Sequence, residues 1–372
     1  MIVFILLLNS CKKDIPEPNQ APQDDTGKEK MDVLDMIYTI ADKNDMKVMG
    51  DVNLAAYVAK GYDNGYTVKG ADSMVIAVKA YIDQYHARYG QHKSFWGWYL
   101  DWEVNPIKPT DAAKNAFWRK VWKSATDECH RIHPGSMVTI APFFLIDQAH
   151  YPSLYMPPSD YVTEWSETLK ETGIDILMMQ ESGAQHASFF TLAQREPYYA
   201  AFAEACKQAG TQFWADMESG QVHAKDWAEL DEINKNNEVD AHYEFTPIDW
   251  LSQKLSLAAR YCEGIVNWGY FPYMNPILDT GPWPANGNGD PEEAYDAYKA
   301  YYEKVPLSVA TGNTCRPVMR GTLWWVSANY DSWSKDEMEQ VLEHQISLQK
   351  AIGFDILWIT NTARNITWTE DK

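Results

Sequence analysis

Residues 73–103, SMVIAVKAYIDQYHARYGQHKSFWGWYLDWE, hold one complete beat of the chain: a run of helical spacing, a glycine, a short polar turn and an aromatic-rich strand. Gly90 stands where a helix stop tolerates a left-handed backbone. The same beat recurs along the sequence. Strand-like runs fall at 47–53, 95–103, 137–143, 175–181, 212–218, 264–271, 320–327 and 355–360, and helical stretches at 32–43, 73–89, 111–130, 161–171, 197–208, 248–261, 292–303 and 336–352. Gly173, Gly210, Gly264 and Gly353 are further candidate helix stops.

Alternating helices and largely apolar strands imply a parallel sheet covered by helices. Eight such strands suit an α/β fold of the closed (β/α)8 kind, a TIM barrel. A doubly wound open sheet would announce itself by a G-x-G-x-x-G turn after its first strand, and the sequence has none. The beat starts on a helix and ends on a strand. The expectation is therefore a circularly permuted barrel, with 320–327 and 355–360 as its first two strands and 47–53 as its third. The alternative is a barrel over 31–306 followed by the start of a second domain over 307–372.

The chain has 372 residues and a formal charge of -20, which excludes the clustered Lys and Arg that nucleic-acid binding needs. Residues 2–8 form a short apolar run that ends at Ser10 and Cys11, and residues 15–30 are Pro-rich and charged. Together they read as a lipoprotein signal segment over 1–10 and a flexible tether over 11–30, with Cys11 lipidated and a single barrel domain over 31–372. The expected location is the outer membrane, held by the lipid alone, facing the cell surface or the periplasm. Cys129, Cys206, Cys262 and Cys315 lack paired close spacing and read as buried free thiols. The nine His are scattered, so no metal and no cofactor is expected. The oligomeric state is left open.

A barrel of this kind carries its site at the carboxyl ends of the strands. Those ends are acidic here: Asp51, then Asp101 and Glu103, then Gln180 and Glu181, then Asp216 and Glu218. Alternation puts Asp101 with Glu103, and Asp216 with Glu218. Crowded carboxyls raise one another's pKa and so supply a proton donor beside an ionised group. Two carboxyls flanking a bond are what glycoside hydrolysis requires. Any one of these acids can instead cap a helix, and Asp51 and Asp216 lean toward structural duty. Rim aromatics (Trp98, Tyr99, Trp102, Trp214, Trp268, Tyr270, Tyr273, Trp324, Trp325, Trp358) offer rings to sugar faces. Trp102, Tyr270, Tyr273 and Trp324 are the chosen ligand-side rings, joined by Trp283 from the long loop 274–291.

The segments FWGWYLDWEVN, MMQESG and FWADMESG resemble a family of glycosyl-hydrolase-like TIM barrels of unknown function, found in secreted lipoproteins of Gram-negative gut bacteria. The resemblance spans 32–274, and 321–362 is similar to that family's opening βαβ unit. On the permuted count Glu103 ends strand four and Glu218 strand seven, as in the retaining barrel glycosidases. That likeness implies Glu103 as acid/base and Glu218 as nucleophile. From their strand-end positions Gln180, Glu181 and Asp216 are candidate substrate-binding residues, with Glu181 beside Gln180 the main rival member of the carboxyl pair. Those glycosidases usually carry Asn before the acid/base, where this chain has Trp102. The expected function is hydrolysis of an oligosaccharide or glycan at the cell surface. The rivals are a glycan-binding protein without turnover and a divalent-metal hydrolase using Asp51, Glu103, Glu181 and Glu218.

Overall fold

The computed structural model describes residues 32–360 apart from 104, 182–187, 278–288 and 327–332. Cys11, the tether and Trp283 lie outside the described residues. The strands are β1 (Lys47–Asp51), β2 (Phe95–Leu100), β3 (Met137–Ile140), β4 (Ile176–Gln180), β5 (Gln212–Met217), β6 (Gly220–Val222), β7 (Tyr243–Phe245), β8 (Gly264–Asn267), β9 (Gly321–Trp325) and β10 (Ile356–Thr360). All but β6 and β7 form one closed parallel barrel, each strand beside its predecessor in the chain and β10 bonded back to β1. The seam pairs Lys47 with Ile356 and Met49 with Trp358. β9 and β10, in register from Gly321↔Ile356 to Trp325↔Thr360, thus complete the ring instead of opening a second body.

The helices are α1 (Val33–Asn44), α2 (Leu54–Ala59), α3 (Val68–Tyr89), α4 (Ala112–Ile132), α5 (Pro158–Thr172), α6 (Leu192–Ala209), α7 (Trp227–Lys235), α8 (Ile248–Ala259), α9 (Tyr270–Tyr273), α10 (Pro291–Lys304) and α11 (Lys335–Ala351). α1, capped by the Asp32 carboxylate on the Asp35 N–H, packs on β1 between α3 and α11. Lys43 of α1 pairs with Glu339 and Glu343 of α11. α6 starts at Leu192, earlier than the expected 197, because Thr191 and Gln194 close a capping box there. Cys129, Cys206 and Cys262 are buried and Cys315 half-buried, all four as free thiols.

The two-residue alternation of the strands divides the apolar residues into two cores. Met49, Tyr99, Ala141, Ile176, Met178, Trp214, Val266, Leu323, Ile356 and Trp358 fill the barrel interior. Their neighbours along the strands, among them Trp98, Leu100, Leu177, Met179, Phe213, Ala215, Trp324 and Ile359, face the helices. Inside, Trp358 meets Tyr99 edge-on with centroids 4.8 Å apart. The β1–β2 register shifts between Val48 and Met49, leaving Trp96 as an extra residue between Phe95 and Gly97. Its ring stacks on Trp214 at 6.0 Å, with the Lys47 ammonium 5.0 Å above it.

Two expected glycine stops behave differently from Gly173 and Gly210, which end α5 and α6 at φ 71° and 74°. Gly90 ends α3 with a right-handed backbone. Gly264 is a strand residue, required by space: a Cβ there would stand 2.7 Å from the Trp214 ring. β8 also stops at Asn267, short of the expected Phe271. The Asn267 side chain accepts from Ser219 Oγ at 3.1 Å and donates to the Gly321 carbonyl at 2.9 Å, and the chain then turns into α9. Gly264→Ala should force the Trp214 ring off its stack and lower stability by about 1–3 kcal/mol, read from a denaturant midpoint; an unchanged midpoint would show that the interior yields.

Candidate active site

Alternation also decides which strand-end acids face the barrel axis. On β2 Tyr99 points inward, so Asp101 and Glu103 follow it and Trp102 turns outward. The Trp102 ring lies 6.4 Å from Trp118 and continues a ladder through Trp122 to Trp165 on the helices. On β4 Met178 and then Gln180 face inward and Glu181 outward. On β5 Trp214, Asp216 and the following Glu218 share the inner face, and past β8 Trp268 follows Val266 inward.

The inward groups meet at one mouth. Gln180 Nε2 donates to Glu103 Oε1 at 2.8 Å, and Trp268 Nε1 donates to Glu218 Oε2. Glu218 is 4% exposed, and its carbonyl accepts from Thr246 Oγ1 at 3.3 Å and from the Lys254 ammonium. Asp216 is fully buried, with the Gln180 side chain as a donor that favours its charge. Asp51 accepts from Tyr81 Oη at 3.1 Å and from Thr360 Oγ1 at 3.3 Å. Asp101 accepts from the Leu54 and Ala55 N–H groups at 2.7 and 3.3 Å. It thereby caps α2 from a neighbouring unit, because Asn53, at φ 62°, supplies no side-chain cap of its own.

Electrostatics separates these acids. Burial pushes Glu103 up against the opposing Gln180 hydrogen bond. Burial, with Glu218 and Glu103 as like-charged neighbours, holds Asp216 well above the usual carboxylate range. Burial and Asp51 do the same for Asp101. Glu218 is pushed up to about 8 by burial, with the Trp268 hydrogen bond and Lys254 pulling the other way. A mouth of this kind keeps at least one carboxyl protonated at neutral pH beside others able to ionise, the condition for combined acid and base chemistry.

Several expected ligand-side residues lie elsewhere. Glu181 sits behind β4, with no exposed surface, between Arg195 at 2.8 Å and Lys254 at 2.6 Å. Burial opposes its charge, but the two cations outweigh burial and leave its pKa low. Asp51, Glu103, Glu181 and Glu218 therefore do not converge, and among the described residues no three His, Cys, Asp or Glu are grouped to hold a metal ion. Tyr270 is buried on α9, its hydroxyl taken by Gln345 Nε2 at 2.8 Å. Trp324 packs on Phe271 on the helix side, 5.0 Å between centroids, and the ring of β9 that joins the interior is Trp325. Tyr273 stays near the mouth, edge-on to Trp268 at 5.6 Å and stacked with Tyr243 at 5.8 Å.

Tyr273 and Trp268 border a small insertion that sequence reading left blank. β6 and β7 form an antiparallel pair with α7 between them in the chain, around Val222, Leu230, Ile233 and Tyr243. The segment joins Glu218 to α8, so it stands beside the mouth. Its strands are too short to show alternation. The legible signal is Asp226, which caps α7 on the Glu229 N–H at 3.0 Å.

The raised carboxyls make stability depend on pH with a defined sign. The folded protein keeps protons on Asp101, Glu103, Asp216 and Glu218 that the unfolded chain releases near the ordinary pKa of 3.8 for Asp and 4.5 for Glu, and Glu218 holds its own up to about 8. More protons bound in the folded state means that stability falls as pH rises across this interval. Denaturant midpoints should therefore fall from pH 5 to pH 8, and Asp216→Asn should flatten the slope and add roughly 1–3 kcal/mol at pH 8. An equal slope in the variant would place Asp216 outside the titrating set.

The profile of a family described as Domain of unknown function (DUF4434) matches residues 2–278, ending before β9 and β10. No curated protein matches the chain. Among solved structures the chain is similar to a protein provisionally assigned as an alpha-L-fucosidase from Bacteroides thetaiotaomicron VPI-5482, at 16% identity and a TM-score of 0.45, over 78% of this chain and 89% of that one. A psychrophilic glycoside hydrolase family 10 endo-beta-1,4-xylanase is similar at 13% identity and 0.35, over 60% and 66%. The 2,3-dimethylmalate lyase of the PEP mutase/isocitrate lyase superfamily is similar at 11% and 0.34, over 90% and 82%. Scores this low carry no argument about substrate or mechanism. The family profile covers more than half of the chain, and the protein belongs to the DUF4434 family of unknown function.

Proposed function

We propose that the protein is a glycoside hydrolase acting on an oligosaccharide or glycan, with Glu103 and Glu218 as its carboxyl pair. One observation carries the reading: both groups sit on the inner face at the same end of the barrel, each hydrogen-bonded through its carboxyl, and burial raises both pKa values. Hydrolysis of a glycosidic bond needs one carboxyl to protonate the leaving oxygen and a second to attack the anomeric carbon or activate water. On a count that begins at β9, β2 is the fourth strand and β5 the seventh, the places a permuted order assigns to the two roles. Trp268, Trp325 and Tyr273 are the rings at the mouth that suit a sugar face.

In double displacement Glu103 gives its proton to the leaving oxygen while Glu218 forms the glycosyl ester. Water then releases the sugar, with Glu103 acting as base. Glu218 has the anion-stabilising neighbours for this: the Trp268 N–H and the Lys254 ammonium. Glu103 has the neutral amide of Gln180. Positive charge developing at the anomeric carbon further favours the ionised Glu218. We place this activity on an exported chain, lipidated at Cys11 and tethered by residues 11–30.

Hydrolysis of a panel of aryl and natural glycosides tests the reading. Glu103→Gln and Glu218→Gln should each lower kcat/KM by roughly 10²–10⁴ with the fold retained, and binding without turnover in the parent would make the protein a glycan-binding module. The pH profile tests the roles. A nucleophile that must ionise from about 8 makes kcat/KM rise with pH toward that value, and a rate that instead falls through the same interval assigns the proton-donor role to Glu218.

A further inference from the structure

Behind the mouth lies a buried charge network through which Lys254 reaches Glu218. Glu181, at the end of β4, takes Arg195 of α6 on Oε1 at 2.8 Å and Lys254 of α8 on Oε2 at 2.6 Å, and none of the three side chains is exposed. Arg195 also donates to the Phe190 carbonyl at 3.3 Å. Two cations to one anion leave the network with one net positive charge; burial and Arg195 lower the Lys254 pKa, Glu181 opposes them, and buried charge of that kind is costly unless another group answers it. Lys254 shows where it is answered: the ammonium that holds Glu181 also donates to the backbone carbonyl of Glu218, so one side chain crosses from the helical shell to the residue at the mouth.

We propose that Lys254, oriented by Glu181 and Arg195, is a positioning residue that fixes the Glu218 backbone and supplies the positive field under which the Glu218 carboxyl gives up its proton. The charged and titratable groups facing Glu218 are Asp216 at the end of β5, Glu103 past β2, Glu181 past β4 and Lys254 on α8. Lys254 is the cation among them bonded to Glu218 itself. Glu181 and Glu103 disfavour a further negative charge there. Removing Lys254 leaves Arg195 and Glu181 as a balanced pair and withdraws the net positive charge. Removing the Glu181 charge withdraws an anion from behind Glu218 and, with it, the partner that sustains the Lys254 charge against burial and Arg195. The Lys254 charge can thus be withdrawn while the Arg195–Glu181 pair stays in place, which separates its field on Glu218 from the rest of the network.

The inference rests on the glycosidase reading only for the use made of the carboxylate, and its test needs no substrate. The Trp268 indole N–H donates to Glu218, so its proton and nitrogen NMR shifts report the ionisation of that carboxyl; Trp268→Phe identifies the resonance. In the parent protein the signal should titrate near pH 8. Lys254→Met should move the midpoint up by about one pH unit or more, Lys254→Arg should restore it, and Arg195→Met, which removes the same charge farther away, should move it less. A resonance that does not titrate in the parent, a midpoint unmoved by Lys254→Met, or equal shifts for Lys254→Met and Arg195→Met would overturn the proposal. Lys254→Met leaves Arg195 and Glu181 as a balanced buried pair, and Lys254→Arg keeps the test available if Lys254→Met does not fold. Absence of hydrolysis by the parent would sink the glycosidase reading and leave this titration standing, while an unmoved midpoint would sink the role of Lys254 and leave hydrolysis standing.

Discussion

A closed parallel barrel has one interior of limited width and one outer face that must meet helices, and every strand divides its side chains between them with a period of two residues. This constraint sets nearly everything else in the molecule. It sends Tyr99, Trp214 and Trp358 inward, where they fill the axis, and Trp98, Trp324 and Phe213 outward to the helical shell. Carried past the last bonded pair of a strand, it aims Glu103, Gln180, Asp216 and Glu218 into the mouth and Glu181 away from it. A shift of one residue in any of these strands would exchange a site acid for a core residue.

The acids at the mouth are held at the expense of charge. An ionised carboxylate deprived of water and of donors is too costly to keep, so such a group holds its proton. Asp216 has Gln180 set against burial and two like-charged neighbours, whereas Asp51 and Asp101 are tied to Tyr81, Thr360 and the start of α2. The mouth therefore contains structural acids that close the barrel end and two acids, Glu103 and Glu218, whose single side-chain donors leave lone pairs available. The opposite solution stands on the far side of β4, where Glu181 keeps its charge because Arg195 and Lys254 surround it. Lys254 joins the two environments through the Glu218 carbonyl.

Much of this was readable in the residues. The beat of helix and strand identifies eight barrel strands at nearly their observed bounds, because apolar periodicity is a local property that tertiary packing here reinforces. The location of Glu103 and Glu218 follows from strand ends. The choice of Trp324 over Trp325 departs from alternation: Leu323 is interior, so Trp325 shares its face and Trp324 cannot. Glu181 fails by the same parity relative to Gln180. Tyr270 was read at a strand end, and the strand had already stopped at Asn267, whose side chain is engaged by Ser219, Thr322 and Gly321, contacts distant in sequence.

The sequence by itself determined the fold class and the end of the barrel where the acids gather, because both depend on spacing within single elements. Tertiary structure alone decided which acids are paired, capped or left bare. Asp101 is spent on a helix of a neighbouring unit, Glu181 on cations from α6 and α8, and Glu218 is joined to Trp268 and Lys254 from later in the chain. The insertion of β6, α7 and β7 likewise takes its place only by packing against Trp268 and Tyr273. The physical reason is common to all of them: the charge state and partners of a buried polar group are set by what surrounds it in space, and its neighbours in the chain supply few of those surroundings.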